Sequence, residues 1–286
     1  MPEAFRNEPR INTPSPTPPS PPPSPSTPPT SGAEPAKPKT VIKNPPIIWK
    51  ETQEILAAIE TKLGGKVVSY YMSSGWRMVQ DDVKYFYSHL KHIGHQKKLY
   101  FILISPGGDG MSAWRTASLL RNFCDELIIV LPEMAASAAT MLSLAADELI
   151  MTPLAYLTAV DTSLFHPLNP RNSKNEPVSV ELDEVRRSIK FLTENSKNGA
   201  DPSEIYKTIF TYIHPVALGA VERSTNLSEM LCLDIMELRK VNPLDFETKN
   251  RIINKLNTGY PAHGYPIPRH KARELGLTVN DSDNEL

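Results

Sequence analysis

One apolar stretch, from Leu127 to Asp161, constrains the fold of this chain more than any other segment. The stretch begins with Leu-Ile-Ile-Val, and a continuous apolar run of this kind is typical of a strand that is buried on both faces. Pro132 ends the run, and small residues follow from Ala135 to Thr140 before a helical pattern starts. Ser137 is therefore predicted to lie where a buried strand turns into a buried helix.

Ser137 can be interpreted in two ways from this local pattern. The commoner role of a serine at the start of a helix is to cap it or to pack there. The other interpretation is a nucleophile, because small neighbours let other backbone approach closely and the helix N-terminus offers free N–H groups and the positive end of a dipole. The local pattern alone leaves both interpretations open.

A second strand–helix junction lies upstream of the first. Another buried-strand run, Leu99 to Ile104, breaks at the sequence Ser-Pro-Gly-Gly-Asp-Gly, which contains Gly107 and Gly108, and a helical segment follows from Met111 to Cys124. Two adjacent glycines after a strand can turn backbone N–H groups toward a ligand, because glycine tolerates positive φ. One junction can thus supply donors for an oxyanion, and the other a hydroxyl.

The order of elements around these junctions predicts a parallel sheet. A strand at 66–72 and a helix at 79–93 precede the two junctions, so strands and helices alternate from Lys66 to Ala146. A βαβ series of this kind implies right-handed crossovers and an α/β fold. Later segments are predicted as short strands at 148–151 and 155–160, a polar loop at 165–180, and helices at 181–197, 202–213, 215–240 and 244–257.

The two junctions and several later segments resemble one protein family. The matching segments are Ser105-Pro106-Gly107-Gly108, Ala136-Ser137-Ala138-Ala139-Thr140, 146–151, Val160-Asp161, 214–224 and 256–267. In this order and spacing they are similar to the serine dehydrogenase proteinase (SDH) family, relatives of signal peptide peptidase A in the Clp-protease/crotonase superfamily. The resemblance covers about residues 66–277 and implies a Clp/crotonase-like ββα spiral with a helical C-terminal region.

The resemblance also implies an activity, that of a serine peptidase hydrolysing peptide bonds without a cofactor or a metal. Ser137 would be the nucleophile, the amides of Gly108 and Ala138 would hold the oxyanion, and Gly107 would shape the turn. Signal peptide peptidase relatives use a Ser–Lys dyad whose lysine lies on a later helix. Lys190 is the corresponding candidate for the general base.

The choice of Lys190 as the base has alternatives. This lysine projects to one side of the apolar stripe of its helix, so a solvated lysine is an equally simple interpretation. A lysine base has to be neutral near pH 7, which requires burial or a neighbouring cation, and Arg186 and Arg187 can supply such a field. Asp161 occupies the position where Clp peptidases carry the histidine of their triad, so a Ser–His–Asp triad is not expected. The alternative bases are Lys174, Lys197, His166, His214 and His263.

Composition divides the chain into three parts. Residues 1–46 contain 16 of the 28 prolines, and such a segment is predicted to be a disordered Pro/Ser/Thr-rich tail. The resemblance implies that residues 47–277 form the peptidase domain, and 278–286 are predicted to be a polar tail. The helix at 215–240 is apolar nearly all round, which predicts burial within the domain or against another copy, and hence a homo-oligomer.

Charge and cysteine content exclude several classes of protein. A net charge of −1 gives no nucleic-acid footprint. Two cysteines in apolar contexts indicate a reducing compartment rather than a disulfide framework. Neither a membrane span nor a signal peptide is apparent, so a cytoplasmic protein is expected, with peripheral membrane association left open.

Neither a metal nor a nucleotide cofactor is expected. Three histidines, His89, His92 and His95, recur every three residues at the end of one predicted helix, but lysines beside them favour a solvated helix end over a cation site. The segment 108–113 fits a loose dinucleotide pattern, but no acidic ribose partner follows the next strand. The expected partners are a peptide or protein substrate and other copies of the chain.

Two other function classes remain open. A crotonase-type acyl-CoA enzyme uses the same two-amide oxyanion hole on a thioester, but it requires an adenine site and usually carboxylate catalysts, and neither is evident. A non-catalytic assembly or scaffold protein of the same fold is the other alternative, since the base is not determined by the pattern.

Overall fold

A computed structural model of the chain describes residues 49–160, 163–164, 168–176, 178, 180–195 and 201–281. The proline-rich segment at 1–46 and most of the predicted polar tail lie outside the described residues. Three residues weighed above for the site, Asp161, His166 and Lys197, also lie outside them.

Short and long strands alternate with helices along the described chain. The strands are β1 (Lys66–Tyr71), β2 (Gln96–Ile104), β3 (Cys124–Leu131), β4 (Met134–Ala135), β5 (Glu148–Met151), β6 (Tyr156–Leu157), β7 (Ser163–Leu164), β8 (Val180–Glu181), β9 (Ile267–Pro268) and β10 (Val279–Asp281). The helices are α1 (Trp49–Leu63), α2 (Asp82–Ile93), α3 (Gly110–Asn122), α4 (Ala138–Ser143), α5 (Leu182–Asn195), α6 (Pro202–Tyr212), α7 (Pro215–Glu237), α8 (Phe246–Thr258) and α9 (Arg269–Glu274).

A parallel sheet of five strands, in the order β1-β2-β3-β5-β10, forms the centre of the fold. Residues Leu127 to Leu131 of β3 are all buried, because helices cover both faces of the sheet. On one face Val67, Tyr100 and Ile128 pack against α1. On the other face the alternate residues of the same strands join the main apolar core, together with residues of α2, α3, α4 and α7. The α/β class with a parallel sheet is therefore confirmed.

A second, smaller sheet carries the junction that contains Ser137. Strands β4 and β6 pair in parallel, and β9 adds to β6 in the antiparallel direction. Backbone bonds join β4 to the end of β2, since the amide of Ser105 donates to the carbonyl of Met134 at 2.9 Å and the amide of Ala136 donates to the carbonyl of Ser105 at 3.0 Å. The two predicted strand–helix junctions are therefore held side by side.

A buried carboxylate, that of Asp147, ties the last helices to the sheet. One of its oxygens accepts from the Arg121 guanidinium at 2.5 Å and from the amide of Leu127 at 2.9 Å. The other accepts from the amides of Lys240 and Val241, at 2.9 and 3.0 Å. Asp147 is fully buried, so every donor is needed to compensate the loss of water around its charge.

Several local predictions differ from the structure in their extent. The strand predicted at 155–160 is limited to β6, Tyr156–Leu157, and the polar tail predicted at 278–286 begins with β10, which pairs with β5. Both strands are too short to show an alternating apolar pattern, so only their partners reveal them. Within the described residues, no helix is both long enough and apolar enough to cross a membrane.

Candidate active site

Ser137 has an unusual backbone conformation, with φ 51° and ψ −116° at the start of α4. A residue with a Cβ adopts such angles only at a cost of order 1–3 kcal/mol, and this strain clusters at functional sites. The side chain makes no capping hydrogen bond to α4, so the interpretation of Ser137 as a simple helix cap is not supported. A strained strand-to-helix turn is the feature that exposes the nucleophilic serine hydroxyl in α/β-hydrolases.

The turn after β2 fits directly against Ser137. Gly107 has φ 97°, and a Cβ placed on it would lie 2.5 Å from the carbonyl oxygen of Ala136 and 2.9 Å from the Cβ of Ser137. Any side chain at this position would therefore push the two junctions apart. The amide of Gly107 donates to the Oγ of Ser105 at 3.1 Å, so it is not available to a ligand.

Gly108 is held on its other side by the segment before α2. A bridge joins Gly108 to Met78, whose amide donates to the carbonyl of Gly107 at 2.8 Å and whose carbonyl accepts from the amide of Asp109 at 3.0 Å. With φ 149°, a Cβ on Gly108 would lie 2.4 Å from the nitrogen of Met78. Both positions of this turn therefore require glycine, Gly107 because of the segment around Ser137 and Gly108 because of the backbone of Met78.

Among the amide groups of the two junctions, those of Gly108 and Ala138 have no hydrogen bond in the described part of the chain. Ala138 is the first residue of α4, where an N–H group has no partner within the helix. The amide of Ser137 between them is already used, since it donates to the Oγ1 of Thr158 at 2.9 Å. Unpaired backbone donors beside a strained serine form the arrangement that stabilises an oxyanion.

A cavity of about 220 Å³ opens at Ser137. Its walls come from the turn before α3, the start of α4 and one side of α7. The lining residues are Gly108, Asp109, Gly110, Met111, Ser137, Ala138, Met141, Val160, Ser224, Leu227, Ser228 and Leu231. This lining contains neither a lysine nor a histidine, so the described part of one chain does not place a base in the cavity.

Asp109 supplies the only charged side chain of this lining, and its carboxylate is already engaged. It caps α3 by accepting from the amide and the hydroxyl of Ser112, and it also accepts from Gln80 at 2.6 Å. Burial acts to raise the pKa of Asp109, but these hydrogen bonds outweigh it and lower the pKa. Asp109 is therefore a structural anion that shapes the glycine turn rather than a proton acceptor for Ser137.

The candidate base, Lys190, is not part of the cavity lining. Its side chain on α5 is 73% exposed, and its Nζ lies 3.8 Å from the Oε1 of Glu194. Lys174 is also exposed, in the loop before β8. His214 caps α7, where its Nδ1 accepts from the amide of Val216 at 3.1 Å, and His263 is half-buried in the loop before β9.

The two cysteines do not offer an alternative nucleophile. Both are free and buried, Cys124 at the start of β3 and Cys232 in α7. Burial raises the pKa of the Cys124 thiol to about 11 and that of Cys232 to about 12. The reactive thiolate is therefore almost absent at neutral pH.

Sequence reasoning missed the polar residues that support these junctions. Ser105 and Thr158 each accept a hydrogen bond from a junction amide, and Thr140 accepts from the amide of Thr158. Ser105 could have been suspected, since it directly precedes the glycine turn. Thr158 carries no such signal, because it is 21 residues from Ser137 and reaches it only through the pairing of β4 with β6.

Comparison with known proteins finds similar sequences and similar solved structures. No family model matches the chain. Two uncharacterized proteins of Methanocaldococcus jannaschii are similar to it, one 29% identical over 185 residues and one 25% identical over 179 residues. These matches cover 64% and 63% of this chain but 54% and 51% of the relatives, so the chain spans about half the length of the curated relatives it matches.

The solved structures similar to this chain include ClpP proteins. ClpP1 from Listeria monocytogenes matches with a TM-score of 0.42 and 12% identity, over 81% of this chain and 96% of that one. The catalytic domain of the ClpP protease from Plasmodium falciparum matches with a TM-score of 0.41 and 11% identity, over 82% of this chain and 92% of that one.

Proposed function

We propose that this chain is a serine peptidase of the SDH type, related to signal peptide peptidase A, in which Ser137 attacks the scissile carbonyl of a peptide. The observation that carries the proposal is the strained Ser137 in the lining of a cavity, beside the amides of Gly108 and Ala138, which have no hydrogen bond within the described residues. Both cysteines are free and buried, which is consistent with the reducing, cytoplasmic setting that the proposal includes.

The reaction requires the hydroxyl of Ser137 to lose its proton as its Oγ bonds to the carbonyl carbon. The carbonyl oxygen then carries the negative charge, and the amides of Gly108 and Ala138 donate to it, with Gly107 allowing the close fit. Removal of one such donor typically costs about 10²–10³ in rate. Collapse of the intermediate expels the amine, which takes up the proton from the base, and water then hydrolyses the ester on Ser137.

Lys190 is the proposed base, and its position suggests that it acts on another copy of the chain. Its amine is exposed and is not part of the cavity lining. The helices around it expose several large apolar side chains, a feature of surfaces that bind another protein. These side chains are Phe191 and Leu192 on α5 and Tyr206, Phe210 and Tyr212 on α6. Packing of copies through this surface would bury the Lys190 amine and separate it from Glu194. Burial of this kind lowers the pKa of a lysine, which has to be neutral to act as a base.

The nucleophile is tested with a labelled casein, a fluorogenic peptide library and a serine-directed fluorophosphonate. Ser137→Ala should abolish hydrolysis and labelling while the thermal transition is retained. Ser224→Ala is the matched control, because Ser224 lines the same cavity but lies within α7. Hydrolysis retained in Ser137→Ala, or lost equally in both variants, would remove the proposal.

The base is tested by mixing two inactive variants. Lys190→Met should be inactive alone, and Ser137→Ala is inactive alone. After dissociation and reassembly of an equal mixture, about a quarter of the sites combine an intact serine with an intact lysine of another copy, so activity should return. Lys207→Met is the control, since Lys207 on α6 is also exposed and paired, with Glu204 at 2.6 Å. An active Lys190→Met would exclude this lysine, and two inactive variants that do not complement would place the lysine in the same chain as its serine.

A further inference from the structure

We infer that Thr158 is a positioning residue that holds Ser137 in its strained backbone conformation, an inference that rests on the proposed function of Ser137. The Oγ1 of Thr158 accepts from the amide of Ser137 at 2.9 Å, and Thr158 is 3% exposed. The acceptor of this bond is therefore buried, and the bond is partly shielded from water. An amide that loses a partner in such a place is left unsatisfied.

A second threonine fixes Thr158 in turn. The amide of Thr158 donates to the Oγ1 of Thr140 at 3.0 Å, and the hydroxyl of Thr140 donates to the carbonyl of Ala135 at 2.7 Å. Thr140 is fully buried, and Ala135 lies two residues before Ser137. The two threonines thus connect the chain before the serine, the helix after it and strand β6 beside it. We call Thr140 and Thr158 the threonine pair.

The threonine pair explains how the strain at Ser137 is maintained. The values φ 51° and ψ −116° are unfavourable for a residue with a Cβ, and such angles persist only where the surroundings over-determine them. The bond to Thr158 directs the Ser137 amide away from the cavity, toward β6. It therefore leaves the amide of Ala138, which follows it, as the donor that faces a ligand. Without this bond the peptide before Ser137 is free to rotate toward ordinary angles.

The hydrogen bond to the Ser137 amide depends on the hydroxyl oxygen of Thr158 and not on the volume of its side chain. Thr158→Val would keep the branched shape and remove the acceptor, together with the hydroxyl that donates to the carbonyl of Ala159 at 3.0 Å. Serine at 158 would keep the acceptor and remove only a methyl group. The two substitutions therefore separate the hydrogen bond from the packing.

The kinetic test compares Thr158→Val with Thr158→Ser. In Thr158→Val we expect kcat for peptide hydrolysis to fall about 10–100-fold, about 1.4–2.7 kcal/mol at 1.36 kcal/mol per decade, with little change in KM. Thr158 is not part of the cavity lining, so the side chains that would contact the substrate are kept while the geometry of Ser137 is lost. Thr158→Ser should recover most of kcat. Thr116→Val, at another fully buried threonine in α3, is the control and should keep the wild-type kcat.

The structural test uses crystal structures of the same variants. Residue 137 should leave the left-handed region in Thr158→Val and remain in it in Thr158→Ser. If the wild-type chain hydrolyses no peptide, the proposed function fails, and this conformational result alone decides whether Thr158 holds Ser137. A Thr158→Val variant that keeps both the wild-type kcat and the positive φ of Ser137 would overturn the inference. A rise in KM without a fall in kcat would also overturn it, since that result indicates a damaged binding site.

Discussion

Replacing Asp147 with asparagine should destabilise the fold more than any conservative change at the surface. The substitution keeps the shape of the side chain but leaves one oxygen where two are needed. Four donors converge on the carboxylate, namely the Arg121 guanidinium and the amides of Leu127, Lys240 and Val241. The amide group of asparagine would face two of these donors with its own N–H groups, and Arg121, which is 3% exposed, would lose its counter-charge.

The magnitude follows from the burial of this pair. Removal of one partner of a buried ion pair typically costs about 3–5 kcal/mol, because an uncompensated charge remains inside the protein. At about 2–4 °C per kcal/mol for a domain of this size, the thermal midpoint should fall by about 6–20 °C. The change should be measured by urea unfolding and by calorimetry. The matched control is Asp81→Asn, because Asp81 pairs with Lys84 at 2.7 Å but both side chains are mostly exposed. This control should leave the midpoint nearly unchanged.

The same pair gives a defined pH dependence. Burial acts to raise the pKa of Asp147, but the hydrogen bonds from Leu127, Val241 and Arg121 outweigh it, and the pKa lies below the ordinary value of 3.8. A lowered pKa means that the stabilisation is complete above the ordinary value and is lost as the pH falls through the lower, folded-state value. The stability difference between wild type and Asp147→Asn should therefore be constant above about pH 5 and shrink in more acidic solution. A difference below about 1 kcal/mol at pH 7, or one that grows in acid, would refute the reasoning.

Three further results are expected. Gly108→Ala should lower peptidase activity about 10²–10³-fold, because its Cβ would lie 2.4 Å from the nitrogen of Met78. The control Gly219→Ala on α7, where nothing lies within 4 Å of the added Cβ, should keep activity and raise stability by about 0.5–1 kcal/mol. Equal activity of the two variants in the casein assay would contradict this prediction. Thr116→Val should raise the thermal midpoint in calorimetry, because the buried Oγ1 of Thr116 has no hydrogen-bond partner in the described part of the chain; a lower midpoint would indicate that this hydroxyl is satisfied. Light scattering at micromolar concentration should report an oligomer, and Phe191→Glu should shift it toward the monomer, since Phe191 is 64% exposed on α5. A monomeric wild type would exclude assembly, and with it the action of Lys190 on Ser137 of another copy.

The long elements of this fold could be predicted from the sequence because their pattern is local. The run from Leu127 to Val130 is apolar and rich in β-branched residues, which is typical of a strand covered on both faces, and β3 is such a strand. The Gly107-Gly108 pair after β2 likewise indicated a turn with positive φ, which both residues adopt. In these cases the cause of the structure lies within a few residues of the pattern.

The finer geometry of the site depends on contacts between distant segments. Strands β4, β6 and β9 have two residues each, which is too few for any alternation, and they exist because they pair with one another. The positive φ of Ser137 results from its bond to Thr158, from the contact with Gly107 and from the pairing of β4. The base could not be located for a related reason, since an amphipathic helix such as α5 shows which residues face its own domain but not which face another copy.

The bridge between Ser105 and Ala135 has a consequence for how substrate preference can change. It joins the two junctions through backbone atoms alone, so the separation between the serine and the glycine turn does not depend on any side chain of the cavity. The opposite wall is different, because it is formed by side chains of α7 such as Leu227 and Leu231. Under the proposed function, substitutions on α7 can therefore reshape the space offered to a substrate while Ser137 and the glycine turn keep their geometry, and selection for new substrates would act on that helix first.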